Sequence, residues 1–201
     1  MTLSMPTRPN FKTSTFGLET NTQSFESPLS KVRQRVLLGG ARWNATYTLP
    51  KMNRHSMRLW QAFLLSLEGG VNTFYGFDPD AKYPLGSAGG IPLVNGANQT
   101  GSSLITDGWP HSVNGVLLAG DYFGAGGEMK MVMSDVNTDG SGNATINFKP
   151  AFRNSPADNA PLTLINPTCT MVLIDDKQSM WQADANGIYN EFTFSAVEVF
   201  S

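Results

Sequence analysis

The alternation of apolar and polar residues along the chain predicts a mainly β protein. It is clearest in residues 43–49, where every second residue is apolar or aromatic and the residues between them are polar. That two-residue period is typical of a strand buried on one face. The preceding segment, 32–38, is also rich in apolar residues, and Gly39–Gly40 between the two segments predicts a hairpin turn.

One segment has the period of an amphipathic helix instead. Apolar residues recur three and four positions apart from Met57 to Leu67, the spacing of a helix with one buried face. Asn53 is placed to accept a hydrogen bond from the first helical turn. Gly69–Gly70 is placed to end the helix in a left-handed conformation. The pattern therefore predicts a single helix between two groups of strands.

The remaining apolar runs predict strands in two parts of the chain. From Pro79 to about Pro110 the sequence is rich in glycine and proline, as expected for a crossing between domains. We therefore assign residues 1–80 and 168–201 to one β domain, and residues 81–167 to an inserted, small β-barrel-like domain. The further predicted strands are 71–77, 115–118, 127–134, 142–148, 161–164, 170–174 and 187–200.

Composition narrows the class of protein. The chain has 201 residues, of which 15% are charged, and a net charge of −2. It is too apolar for a disordered chain and too neutral for a nucleic-acid-binding protein. No apolar run approaches the ~20 residues of a membrane span, and residues 1–10 lack the apolar core of a secretion signal. We expect a soluble protein that is made in the cytoplasm.

Charge is unevenly distributed along the chain. Residues 1–60 contain nine basic and two acidic residues, or +7, whereas residues 61–201 contain five basic and fourteen acidic residues, or −9. Folding can mix the two segments in space. Alternatively, opposite faces carry opposite charges, which would set the register of a self-stacking or ring-forming subunit.

Residue types that carry catalysis are scarce. The chain has one cysteine, Cys169, and two histidines, His55 and His111, and it contains no nucleophile elbow, phosphate-binding loop or zinc-binding motif. The spacing assigns no partner to either histidine, and a lone thiol is typical of a small core residue. We expect a protein that is not an enzyme and that has no cofactor.

The segment Asp135-x-Asn137-x-Asp139-Gly140 matches the first half of a calcium-binding loop. Ile146 occupies the position at which such a loop places its bidentate glutamate, so a full set of oxygen ligands is hard to assemble locally. Aspartate, asparagine and glycine are also the residues of a long hairpin turn. A turn and a weak calcium site both remain as interpretations.

Aromatic residues in loops are candidates for contact with a glycan or a protein partner. Trp109 lies in a Gly-Trp-Pro segment, and Tyr122 and Phe123 follow another glycine-containing turn. Aromatic rings in such positions could stack on a sugar or pack at a subunit contact. Core packing is the expectation for the other three tryptophans, Trp43, Trp60 and Trp181.

The order of these features resembles the distal tail proteins of long-tailed bacteriophages and gene transfer agents. The resemblance covers most of the chain from about residue 30. Three stretches carry it: the run from Trp43 to Trp60-x-x-Phe63-x-x-x-Leu67-x-Gly69-Gly70 and Phe77-Asp78-Pro79; Gly115-x-Leu117-x-Ala119-Gly120-Asp121-Tyr122-Phe123 followed by Gly142-x-Ala144-x-Ile146-x-Phe148-x-Pro150-x-x-Arg153; and Phe192-x-Phe194-x-Ala196-x-Glu198.

The resemblance implies a structural virion protein of the tail tip. Members of that family form a ring, usually hexameric, which joins the tail tube protein to the baseplate hub and the host-adhesion apparatus, including receptor-binding or tail-fibre proteins. Their ring domain is similar to tail-tube proteins, a β-sandwich or barrel with a flanking helix, and a second β domain projects from it. DNA would pass through the channel without specific recognition. Two other interpretations stay open: a tail tube or adaptor subunit, and a carbohydrate-binding adhesion protein.

Overall fold

The computed structural model describes residues 1–200, and it is mainly β, with 42% of residues in strands and 8% in helical conformation. The chain separates into two compact units. Unit 1 consists mainly of Leu3–Phe74 and the chain from Met171 onward, and unit 2 mainly of Tyr75–Thr170. We expected an insertion at 81–167; the compact unit found here is longer at both ends.

The strands form two sheets. A six-stranded sheet has the order β1-β4-β10-β11-β3-β2, and a five-stranded sheet has the order β5-β6-β9-β8-β7. Their bounds are β1 Thr2–Ser4, β2 Thr13–Glu26, β3 Arg33–Leu49, β4 Thr73–Gly76, β5 Leu93–Val94, β6 Gly101–Asp107, β7 Tyr122–Ala125, β8 Glu128–Val132, β9 Ala144–Phe152, β10 Cys169–Leu173 and β11 Phe192–Glu198. β4 and β10 lead the chain out of unit 1 and back.

Unit 1 has an aromatic core on one face of its sheet. β11 pairs with β3 antiparallel, and Phe194 lies opposite Tyr47. The ring of Phe194 is 5.3 Å from that of Tyr47 and 5.9 Å from that of Trp60. On the other face the same strands pair small hydroxyls, such as Thr46 with Ser195 at 2.9 Å. The predicted alternation of buried and polar residues in these two strands is confirmed.

The single α-helix, α1, spans Arg54–Ser66 and covers this core. The side chain of Asn53 accepts a hydrogen bond of 3.0 Å from the backbone N–H of Ser56, so the predicted N-cap is confirmed. Gly69 has a φ of +68°, and a Cβ there would lie 2.3 Å from Asp176 Oδ1. The left-handed conformation favours glycine at this position, whereas Asp176 is exposed and its carboxylate can turn away from an added Cβ.

Unit 2 has a core of its own beneath its five-stranded sheet. β9 is buried at every second residue and pairs with β6 on one side and with β8 on the other. Phe123 and Phe148 pack edge to face with their ring centres 5.5 Å apart. The fully buried side chains around them include Val94, Leu104, Val116, Leu117, Val132 and Ile146.

Three expectations about secondary structure are corrected. Gly39–Gly40 do not form a hairpin turn: β3 continues through them, and the turn lies at residues 27–32. The glycine- and proline-rich connection, for which no strand was predicted, contains β5 and β6. β7 was not predicted either. The predicted strands 115–118 and 161–164 form isolated bridges only: Leu117 pairs with Val136, Pro161 with Leu93, and Thr163 with Gly124.

The charge asymmetry of the sequence is reduced by folding. The acidic last segment joins the basic first segment in unit 1, where Lys12 Nζ lies 2.5 Å from a carboxylate oxygen of Glu191. Unit 1 then has ten basic and eight acidic residues, a net charge of +2. Unit 2 has four basic and eight acidic residues, a net charge of −4. Within residues 1–200, no helix is long and apolar enough to cross a membrane.

Candidate functional site

The most exposed regular structure of the chain is the distal part of the β2–β3 hairpin, residues 19–40, which we call the arm. All its residues except Ser27 are exposed. β11 pairs with β3 only over Asn44–Leu49, and β2 is the last strand of its sheet. Within residues 1–200, the arm is therefore a two-stranded ribbon with both edges unpaired.

A bulge joins the arm to the sheet. Glu19 pairs with Arg42 and Asn21 with Leu38, so three residues of β3 lie opposite one residue of β2. Gly40 has a φ of +92° there, which favours glycine. A bulge bends its strand and increases the local twist. The arm therefore leaves the sheet in a different direction from the strands that carry it.

The two faces of the arm differ in chemistry. One face carries no charge: Phe25 lies opposite Gln34, Val36 opposite Gln23, and Leu38 opposite Asn21. Phe25, Val36 and Leu38 are 66%, 59% and 40% exposed. We call these six residues the apolar face. The opposite face has Arg33 and Arg35 together with the exposed Leu37, and Leu29 and Val32 are exposed near the tip.

Ion pairs connect the strands at both ends of the arm. Near the tip, Arg33 Nε lies 2.5 Å from Glu26 Oε2. At the base, the side chain of Asn44 donates a hydrogen bond of 2.8 Å to Glu19, and Arg42 Nε lies 3.4 Å from the same carboxylate. The hydrogen bond from Asn44 and the charge of Arg42 lower the pKa of Glu19. These pairs hold the strands in register but leave the apolar face uncovered.

The three aromatic residues proposed for glycan or partner contact lie inside unit 2. Trp109, Tyr122 and Phe123 are at most 5% exposed. Trp109 Nε1 donates a hydrogen bond of 2.8 Å to Thr106 Oγ1, and burial raises the pKa of Tyr122, with a smaller contribution from Asp78. Their rings are therefore not presented to a ligand, and Trp109 and Phe123 pack in the core of unit 2.

The side-chain oxygens of the candidate calcium loop accept hydrogen bonds from N–H groups of the protein itself. Asp135 accepts a hydrogen bond from the N–H of Ala119, and Asn137 accepts one from the N–H of Gly115. Asp139 accepts three from Ser141 and Asn143, and those bonds lower its pKa. Asp135 and Asn137 thus bind residues 115–119, and Asp139 binds the turn that follows it. Among residues 1–200, no cluster of three or more His, Cys, Asp or Glu residues could hold a metal ion.

The other residues considered for chemistry are dispersed. His55 and His111 are exposed, and Cys169 is a buried free thiol. Trp43 and Trp60 are buried as expected, but Trp181 is 38% exposed, so the expectation of core packing is wrong there. Near the end of the chain, Phe200 is 47% exposed. Glu198 is buried and accepts a hydrogen bond from the N–H of Trp43.

Sequence reasoning missed the arm because its first strand matched no motif. A signal was present, however. The segment 27–30 is a Ser-Pro-Leu-Ser turn sequence, and Glu26 before it and Arg33 after it are oppositely charged, as cross-strand partners often are. It also missed the acidic and basic pair Glu128 and Lys130, which lie two residues apart on β8 and are both largely buried.

In comparisons with protein-family models and with curated proteins, no family model and no curated protein matches the chain.

Proposed function

We propose that this chain is a structural, non-enzymatic subunit of a bacteriophage tail tip. Copies of it form a ring, of six subunits by the resemblance given above, that joins the tail tube to the baseplate hub and adhesion apparatus. DNA passes through the channel of the ring without specific recognition. The protein is made in the host bacterial cytoplasm and resides in the virion.

The observation that carries the proposal is the arm. An isolated two-stranded hairpin is at best marginally stable in water, and exposed strand edges favour pairing with another chain. The arm has six residue pairs beyond the bulge, and one of its faces is apolar and uncharged. These features favour a partner that covers it. In a closed ring every copy is covered by its neighbour, so no edge is left open.

The energy available from such a contact is considerable. Complete burial of a large apolar side chain is worth about 1.5–3 kcal/mol. Weighted by their exposed fractions, Phe25, Val36 and Leu38 together would contribute about 2–5 kcal/mol for each protomer. In a closed ring this contribution recurs at every interface. A ring is therefore energetically reasonable even though the arm is a small part of the chain.

The test is the oligomeric state of the purified chain, measured by native mass spectrometry and negative-stain imaging. We expect a six-fold ring with an open centre, formed by the chain alone or on co-expression with its hub protein. The triple variant Phe25→Gln, Val36→Gln, Leu38→Gln should be monomeric. The control Leu59→Gln, Leu65→Gln, Val71→Gln removes three exposed apolar residues of unit 1 outside the arm and should leave the ring intact.

Two outcomes would contradict the proposal. One is a chain that stays monomeric in the presence of its tube and hub proteins. The other is a ring that forms equally well in both triple variants, because the arm would then not be the contact. Rings of the unmodified chain that stack into long tubes would indicate a tail tube subunit instead.

A further inference from the structure

Unit 2 contains a cleft, lined by several hydroxyl groups, that neither the arm nor the ring explains. It lies beside the turn of the β7–β8 hairpin and has a volume of about 170 Å³. This is smaller than the ~300–1,000 Å³ of pockets for drug-sized ligands. The side chains that give it its chemistry are Tyr75, Glu128, Thr163, Thr168 and Thr170. We call it the Glu128 cleft.

Four hydroxyl groups line the cleft and are available for a ligand. None of the hydroxyls of Tyr75, Thr163, Thr168 and Thr170 makes a hydrogen bond to another of residues 1–200. Tyr75 is 45% exposed, so a large part of the residue is open to solvent. The cleft thus combines an aromatic surface with several hydroxyls that can each donate and accept.

Glu128 is a fixed acceptor at the wall of the cleft. Its Oε2 lies 2.5 Å from Lys130 Nζ, and its Oε1 accepts hydrogen bonds from the backbone N–H groups of Arg153 and Asn154 at 3.2 and 3.1 Å. The Lys130 side chain is 1% exposed and its ammonium lies over the ring of Phe152. A carboxylate has about four lone-pair positions, so Glu128 keeps capacity to accept from a ligand.

The buried ion pair is costly if it serves the fold alone. Removing two charges from water has a penalty that apolar residues of similar volume avoid. At the wall of a cleft, however, such a pair presents a carboxylate to a ligand in a fixed position. Lys130 and the backbone N–H groups of Arg153 and Asn154 hold the Glu128 side chain in place.

The lining excludes most classes of ligand. No lysine, arginine or histidine lines the cleft, and one carboxylate does, so an anion would not be attracted. A metal ion would need several acidic or nitrogen ligands, and residues 1–200 contain no such cluster. What remains is a neutral, compact ligand with many hydroxyl groups and one apolar face. A single sugar ring has those properties.

We propose that the Glu128 cleft binds one neutral sugar ring. The aromatic ring of Tyr75 packs against the apolar face of the sugar, the threonine hydroxyls exchange hydrogen bonds with its hydroxyls, and Glu128 accepts from one of them. The proposal stands on the cleft alone and does not depend on the ring proposed above. It also differs from a glycan site at Trp109, Tyr122 and Phe123, which are buried.

The test is saturation-transfer NMR of the full chain with glucose, galactose, mannose and N-acetylglucosamine, and with the anionic sugar N-acetylneuraminic acid as a comparison. We expect at least one neutral sugar to bind and the anionic sugar not to bind. Tyr75→Ala should weaken binding by about tenfold or more, which corresponds to ~1.4 kcal/mol. Thr163→Val should weaken it several-fold. The control Tyr83→Ala removes an exposed tyrosine of unit 2 outside the cleft and should bind as the unmodified chain does.

A glycan array then separates two sources of the sugar. Binding to chains that end in the identified sugar indicates a surface glycan, and binding of the free sugar alone indicates a small metabolite; both support the cleft. The proposal is overturned if no neutral sugar binds, if the anionic sugar binds equally well, or if Tyr75→Ala binds as tightly as the control. Thr163→Val changes only an exposed side chain, so its binding can be read even if Tyr75→Ala fails to fold.

Discussion

Asp121→Asn is expected to destabilise unit 2 far more than its small change in structure suggests. Asp121 is 4% exposed and accepts hydrogen bonds from three backbone N–H groups: Leu85 at 2.7 Å, Gly86 at 3.0 Å and Leu118 at 2.8 Å. An asparagine has only one acceptor oxygen, so at least one of those donors would face an NH₂ group. The carboxylate therefore connects two separate loops in a way that the amide cannot reproduce.

The magnitude follows from those three bonds. One buried donor left without an acceptor costs about 1–3 kcal/mol, and each remaining bond loses the extra strength of a charged acceptor. We expect Asp121→Asn to lower the free energy of unfolding of unit 2 by about 2–4 kcal/mol. Asp135→Asn is the matched control, because Asp135 accepts only the N–H of Ala119 and an asparagine can still do so.

Urea denaturation with hydrogen exchange read by mass spectrometry measures both effects. Residues 84–90 and 115–121 both lie in unit 2, so their exchange reports on this contact without interference from unit 1. We expect faster exchange in both segments for Asp121→Asn and little change for Asp135→Asn. If the two variants are equally stable and exchange alike, the three bonds do not hold these loops together.

Two further predictions concern charged groups of unit 2. Lys130→Met leaves the Glu128 carboxylate with only Arg153 as a cationic neighbour, whose Nη1 is 4.0 Å away, and should cost about 3–5 kcal/mol. The double variant Lys130→Met, Glu128→Gln should recover a large part of that loss; additive effects in a double-mutant cycle would contradict it. The pKa of Asp139 is lower in the folded state than in the unfolded state, so its contribution to stability is present above about pH 4 and is lost as the pH falls below that value. Asp139→Asn should therefore destabilise the protein more at about pH 6 than at about pH 3, as measured by urea denaturation at each pH.

The sequence predicts the buried elements of this fold well, because their patterns are local. The helix was predicted from the spacing of Met57, Trp60 and Phe63 and from its cap, and β9 and β11 from the apolar runs at 142–148 and 187–200. The Gly39–Gly40 prediction failed because a glycine pair is compatible with a turn and with a bulge. The difference depends on whether residues before the pair find a partner strand, and that partner, residues 21–26, lies before the turn.

The candidate sites were harder to predict, because burial is decided by the whole fold. Trp109, Tyr122 and Phe123 follow glycines in turn-rich sequence, yet all three are buried, and Trp109 and Phe123 belong to the core of unit 2. The Glu128 cleft is built from β4, β8 and the segment 161–170, which are far apart in sequence. No spacing within one segment could have indicated that Tyr75 and Glu128 lie at the same cleft.

The order of strands in the six-stranded sheet has a consequence for synthesis on the ribosome. β11 lies between β10 and β3, yet it leaves the ribosome after both of them. Unit 2 is almost one continuous segment, so we expect it to fold while translation continues. Until β11 emerges, the facing edges of β3 and β10 have no partner, and the nascent chain is exposed to wrong pairing during that interval.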